Sequence, residues 1–161
     1  MTVKTNALRL LESLGIAHRV IEYEVDEADL SAPAVAAKIG LPAEQVFKTL
    51  VLRGESSGVF FCCLPGEAEL DLKKAARVSA NRKVEMLSLK ELEPTTGYVR
   101  GGCSPLCAKK RFPLFMDETA ELFDEISVSA GRRGIQMLLS PTELIRAARH
   151  NGGTVELADI V

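Results

Sequence analysis

The sequence predicts an α/β fold, a single domain with a mixed, partly antiparallel central sheet surrounded by helices. Three observations carry this. Two β-rich runs, VFKTLVLR at 46–53 and GVFFCCL at 58–64, flank the turn signal GESSG and read as a hairpin. Helix starts and stops bracket short periodic apolar runs, as Ser31 with Pro33 and Gly40 do around PAVAAKI. Strands and helices alternate irregularly, with no internal repeat and no low-complexity linker, so residues 1–161 are expected to form one domain.

The elements follow in chain order. Thr5 or Asn6 caps a helix whose Ala7, Leu10, Leu11 and Leu14 share a face and which Gly15 stops. RVIEYEV, at 19–25, alternates like a strand. After the second helix and the hairpin, Asp71 caps LKKAARV, VEML makes a short strand, and Ser88 leads a helix that Pro94 is expected to end. RFPLFMD is a further strand, and the runs EISVS and IQMLLS enclose the loop AGRRG. Ser140, Pro141 and Glu143 form a capping box that opens a helix over LIRAARHNGG.

Composition excludes several classes. The longest uninterrupted apolar run, VFFCCL, falls far short of the roughly 20 residues a spanning helix needs, so no membrane association is expected. The first fifteen residues mix charge with leucine and lack a secretory cleavage pattern, which predicts a cytoplasmic protein. Cys62 and Cys63 are adjacent and Cys103 and Cys107 are three residues apart, spacings that suit reduced thiols rather than zinc. No G-x-G-x-x-G or Walker pattern occurs, so neither metal nor cofactor is expected.

Charge is unevenly placed. No Asp or Glu occurs in 72–84, 94–116 or 126–142, and those stretches hold 11 of the 20 basic residues, leaving 9 against all 22 acids elsewhere. If the three stretches converge, they make a local basic patch suited to one end of a polyanion; if not, they are solvated surface. Two of them carry glycine-rich loops, Gly101-Gly102 and Ser129-Ala130-Gly131-Arg132-Arg133-Gly134, where backbone N–H groups can approach a phosphate or a carbonyl oxygen. Lys48 shares a strand face with Val46, Leu50 and Leu52, so it must snorkel, pair with an anion or act in a site. Cys103 and Ser104 are potential nucleophiles, but nothing in the sequence brings His18 or His150 to them as a base.

The ordered motifs VFKTL, DLKK, RKVEM, GYVRGGCSP, KKRFP and ISVSAGRRG resemble the YbaK/EbsC family of aminoacyl-tRNA deacylases, relatives of the editing domain of bacterial prolyl-tRNA synthetases. The likeness runs from about Lys4 to the last helix. It implies a trans-editing enzyme that removes cysteine from proline tRNA, without cofactor or metal, by attack of the substrate's own thiol and departure of a thiolactone. It implies that Lys48 is the essential lysine. Substrate-binding positions are Tyr23, Gly101, Gly102, Cys103, Ser104, Ser129, Gly131, Arg132 and Gln136. Partners are the acceptor end of an aminoacyl-tRNA and prolyl-tRNA synthetase. Gln136 stands where some members place an acid, and Leu106-Cys107 replaces the usual apolar residue and glycine, for which the sequence offers no account. A deacylase of alanyl or another small aminoacyl-tRNA, and a non-catalytic module holding RNA ends or a protein partner, remain alternatives.

Overall fold

The computed structural model describes residues 4–161. Its helices begin where the capping residues place them. Thr5 accepts the Leu8 N–H at the head of α1 (Asn6–Ser13), and Ser31 accepts the Ala34 N–H at the head of α2 (Ala32–Ile39), which ends at left-handed Gly40. Asp71 accepts from Lys73 and Lys74 to start α3 (Leu72–Val78), and Ser140 accepts from Glu143 to start α5 (Pro141–Arg149). Each such bond satisfies an N–H that the first turn leaves without an intrahelical partner.

The strands form two sheets rather than one. The larger is built on the hairpin of β2 (Phe47–Gly54) and β3 (Gly58–Pro65), in register from Phe47 opposite Pro65 to Gly54 opposite Gly58. β4 (Val84–Met86) adds antiparallel to β2, while β5 (Leu114–Asp117) and β8 (Val155–Ala158) add parallel on the other side, giving the order β4-β2-β3-β5-β8. The smaller sheet is antiparallel, with β7 (Ile135–Leu139) between β1 (Arg19–Glu22) and β6 (Ile126–Ser129). One bridge, Val46 to Ser127, links the two.

The alternating faces of the hairpin bury both ways. Phe47, Val51, Phe61 and Cys63 join Val128, Met137 and Leu139 of the smaller sheet, with α1 and α5, in the main core. Leu52, Phe60, Cys62 and Leu64 pack on Ala75 and Ala76 of α3. Period-2 alternation in a strand covered on both sides explains why these strands read as nearly continuous apolar runs.

Two elements depart from expectation. α4 (Leu89–Thr96) runs through Pro94 and ends at Gly97 instead. The extra turn is held by the buried Thr96 hydroxyl, which donates to the Leu92 carbonyl at 2.7 Å, and by the Lys109 N–H, which donates to the Thr96 carbonyl at 2.7 Å. β8 has no counterpart in the sequence reading, because it is an edge strand of which only Val155 is buried, leaving no alternation to detect. Among the described residues no helix is long and apolar enough to cross a membrane.

Candidate functional site

A cleft of about 320 Å³ opens where the first half of β2, the start of α2 and the 100–103 loop meet. Lys48, Thr49, Asp29, Gly101, Cys103 and Gln136 line it. Four residues singled out from the sequence, distant along the chain, therefore share one cavity.

Lys48 is half-buried, with its Nζ donating to the carbonyls of Ala68 at 2.7 Å and Gly66 at 3.2 Å. An ammonium has three N–H donors, so one remains for the cleft. Burial pushes the Lys48 pKa below its usual 10.5, and nearby Glu69 opposes that shift. The neutral carbonyls thus aim the ammonium without cancelling its charge. Gly66 is required for this arrangement: a Cβ there would lie 2.5 Å from the Ala32 Cβ and 2.7 Å from the Val46 carbonyl oxygen.

The two glycine loops meet. Arg133 Nε donates to the Arg100 carbonyl at 2.7 Å, and a Cβ on Gly102 would stand 3.2 Å from the Arg133 nitrogen. Gly101 adopts φ +81°, a left-handed conformation that favours glycine. Gly101 and Cys103 have no hydrogen-bond acceptor for their backbone N–H groups among the described residues, whereas the Gly102 N–H is already given to the Val99 carbonyl at 2.9 Å. Gly102 is therefore a packing glycine, and the open amides are those of its neighbours.

Several expected site residues lie elsewhere. Ser104 is fully buried, and its Oγ accepts the Leu106 N–H, so it shapes the turn rather than the cleft wall. Ser129 accepts the Gly131 N–H, and Gly131 abuts the Tyr98 ring, which fixes the second loop from behind. Arg132 lines a separate hollow with Tyr98 and Cys107. Tyr23 packs with Val35 and Val46, which do line the cleft, and carries the Lys38 ammonium 5.9 Å from its ring centroid. Of the three acid-free stretches, 94–116 and 126–142 join through Arg100 and Arg133; in 72–84, Lys74 is engaged by Asp159 and the Val161 carbonyl across α3.

The chemistry on offer is electrostatic. Burial pushes the Cys103 thiol up to about 11, so it stays protonated near neutrality, and neither His18 nor His150 lines the cleft. Gln136 accepts from Ser127 through Oε1 at 2.8 Å, which leaves its Nε2 donor unpaired among the described residues. Sequence reasoning missed three lining or supporting groups. Asp29 is the one carboxylate in the wall, and its pKa is lowered by hydrogen bonding from Ser31. Thr49 has a buried hydroxyl that no oxygen or nitrogen satisfies among the described residues; the neighbour it can bond to is the protonated Cys63 thiol opposite it across the hairpin. Gly66 is the third, and the only signal was a glycine immediately after an apolar strand.

Residues 27–147 match the model of a family described as an aminoacyl-tRNA editing domain. A protein of Enterococcus faecalis (strain ATCC 700802 / V583) named "Putative Cys-tRNA(Pro)/Cys-tRNA(Cys) deacylase EbsC" is 47% identical over 88% of this chain and 87% of its own. The YwhH protein of Bacillus subtilis (strain 168) is 30% identical over 76% of this chain and 80% of its own. A crystal structure described as "a putative trans-editing enzyme for prolyl tRNA synthetase" superposes with a TM-score of 0.78 at 24% identity, covering 99% of this chain and 100% of that one, a likeness of fold.

Proposed function

The chain belongs to the aminoacyl-tRNA editing family, and we propose that it acts in trans, as one domain over residues 1–161, to remove cysteine misattached to proline tRNA. The observation that carries this reading is the shared cleft: Lys48, with a spare donor, and Gly101 and Cys103, with open amides, line one cavity in which no histidine stands beside a thiol or hydroxyl and the Ser31 hydroxyl caps a helix. Such a site stabilises charge on an ester carbonyl oxygen rather than attacking the carbon. The attacking group is the substrate's own thiol. Its sulfur bonds to the carbonyl carbon, the bond to the ribose oxygen breaks, the thiol proton ends on that oxygen, and water opens the resulting thiolactone to free cysteine. Positioning is what the protein contributes. Asp29 supplies the negative charge that suits the substrate's α-ammonium, and Gln136 Nε2 offers a hydrogen bond where a carboxylate would repel a thiolate.

Prolyl-tRNA synthetase is the partner we infer, in the cytoplasm, because a net charge of −2 gives little sequence-independent hold on RNA. Tight, partner-free binding selective for proline tRNA would contradict that inference. The central test follows loss of Cys-tRNA(Pro), Cys-tRNA(Cys) and Ala-tRNA(Pro) with wild type and Lys48→Ala. Both cysteinyl esters should be cleaved, alanyl ester should survive for want of a thiol, and Lys48→Ala should lose about 10²–10³-fold or more in rate. Near-normal activity of that variant rejects the assignment.

A further inference from the structure

Beyond the cleft, the 98–112 loop borders two more hollows whose walls contain no Asp or Glu. The first is lined by Lys4, Arg9, Gly131 and Arg132, with Tyr98 and Cys107. The second is lined by Lys110, Arg111, Phe112 and His150 over an apolar floor that includes Phe61 and Leu106. Cys107 lines both, so they adjoin. The first is tied to the cleft by the Arg133–Arg100 hydrogen bond and by Gly102, whose missing side chain lets the 100–103 loop lie against Arg132 and Arg133. Residues of the 98–112 loop thus wall all three cavities, and that loop is the track they share.

The track's chemistry is specific. Lys110, Arg111 and Arg132 are exposed, and none forms a salt bridge among the described residues. Lys4, by contrast, is paired with Glu12 at 3.1 Å; the three cations left without a carboxylate call for an anionic partner. Phe112 stacks on Phe61, with ring centroids 5.2 Å apart and planes 16° from parallel, and remains half-exposed. An aromatic platform beside unpaired cations is what a nucleotide with its phosphate requires. From Cys103 to Lys110 the chain can span at most about 25 Å, a distance that roughly seven stacked nucleotides at about 3.4 Å each would cover.

We propose that the RNA strand leaving the cleft follows this track, with phosphates on Arg132, Lys110 and Arg111 and one base against Phe112. The proposal rests on the reading of the cleft as an aminoacyl-tRNA site. An RNA is favoured over an acidic protein surface because the track begins at the ester site and ends on an aromatic ring.

The test measures deacylation of Cys-tRNA(Pro) between 50 and 200 mM salt, a range over which phosphate contacts dominate affinity. The proteins are wild type, the double variant Lys110→Glu/Arg111→Glu, Phe112→Ala, and Lys110→Arg as control. The double variant should raise KM about 10-fold or more with kcat held, and should flatten the log KM against log salt slope by about 2, one for each phosphate contact. Phe112→Ala should raise KM as well, and Lys110→Arg should behave as wild type. Cysteinyl-adenosine, too short to reach the track, should be cleaved by the double variant as by wild type. Unchanged KM and slope overturn the proposal, as does an equal loss on cysteinyl-adenosine. Loss of synthetase-dependent stimulation alone also overturns it, in favour of a protein surface. Fluorescence anisotropy with uncharged tRNA gives a readout independent of chemistry: if wild type cleaves neither ester, weaker binding by the double variant still supports the track while the function fails.

Discussion

At the scale of single residues, Lys48 sets two demands against each other. Desolvation favours its neutral form, yet oxyanion stabilisation needs the ammonium, and Glu69 only partly offsets the burial. The activity should therefore have an alkaline limb. Above the lowered pKa the ammonium is lost, so kcat/KM, corrected for spontaneous ester loss, should fall with a midpoint below the ordinary 10.5. Whatever activity Lys48→Arg retains should lack that limb, because a guanidinium does not deprotonate in this range. Linkage has the opposite sign: the unfolded chain binds this proton more tightly, so folding stability rises as pH climbs from the lowered value towards 10.5. The cysteines give a second check. Alkylation at neutral pH, read by mass spectrometry, should modify exposed Cys107 ahead of Cys103, and reach Cys62 and Cys63 last. Fastest modification at Cys103 would indicate an activated thiolate and an enzyme nucleophile. Lys48, Gly101 and Gln136 were legible because each breaks a local pattern or matches a motif. Gly66, Asp29 and Thr49 were not, since their significance comes only from what the fold sets beside them.

At the scale of elements, the site depends on how the end of β3 turns back beneath β2. The Gly66 N–H donates to the Val46 carbonyl at 2.7 Å while its own carbonyl receives Lys48. Gly66→Ala should push this turn off α2, costing about 1–3 kcal/mol as overpacking does, and should lower kcat/KM by displacing the ammonium. Denaturant melts alongside kinetics check both effects; wild-type kcat/KM in a folded Gly66→Ala protein would show that the turn does not aim Lys48. Elements with a local signal were readable, since a cap or a hairpin turn acts within a few residues. α4 shows the limit: Pro94 is a helix breaker by local rule, yet Thr96 and Lys109 satisfy the helix end through tertiary contacts.

For the whole molecule, the segment after α5 fastens together parts that are far apart in the chain. β8 extends the larger sheet alongside β5, and the Asp71 N–H donates to the Ile160 carbonyl at 2.9 Å. In return the Ile160 N–H donates to the carboxylate of fully buried Asp117 at 3.1 Å. The same carboxylate accepts the Thr119 N–H at 3.2 Å and the Thr119 hydroxyl, so one side chain joins the end of β5, the turn after it and the segment just past β8. Removing it leaves buried donors without acceptors, a loss of about 1–3 kcal/mol. Asp117→Ala should therefore lower Tm by several degrees, at about 2–4 °C per kcal/mol for a chain of this size. Neither Asp117, Thr119 nor Ile160 lines the cleft, so kcat/KM at 25 °C should change little while the protein stays folded. Thermal unfolding with parallel deacylation rates checks both expectations. An unchanged Tm would mean that water replaces the carboxylate at no cost, and that β8 is held by its ladder with β5 alone.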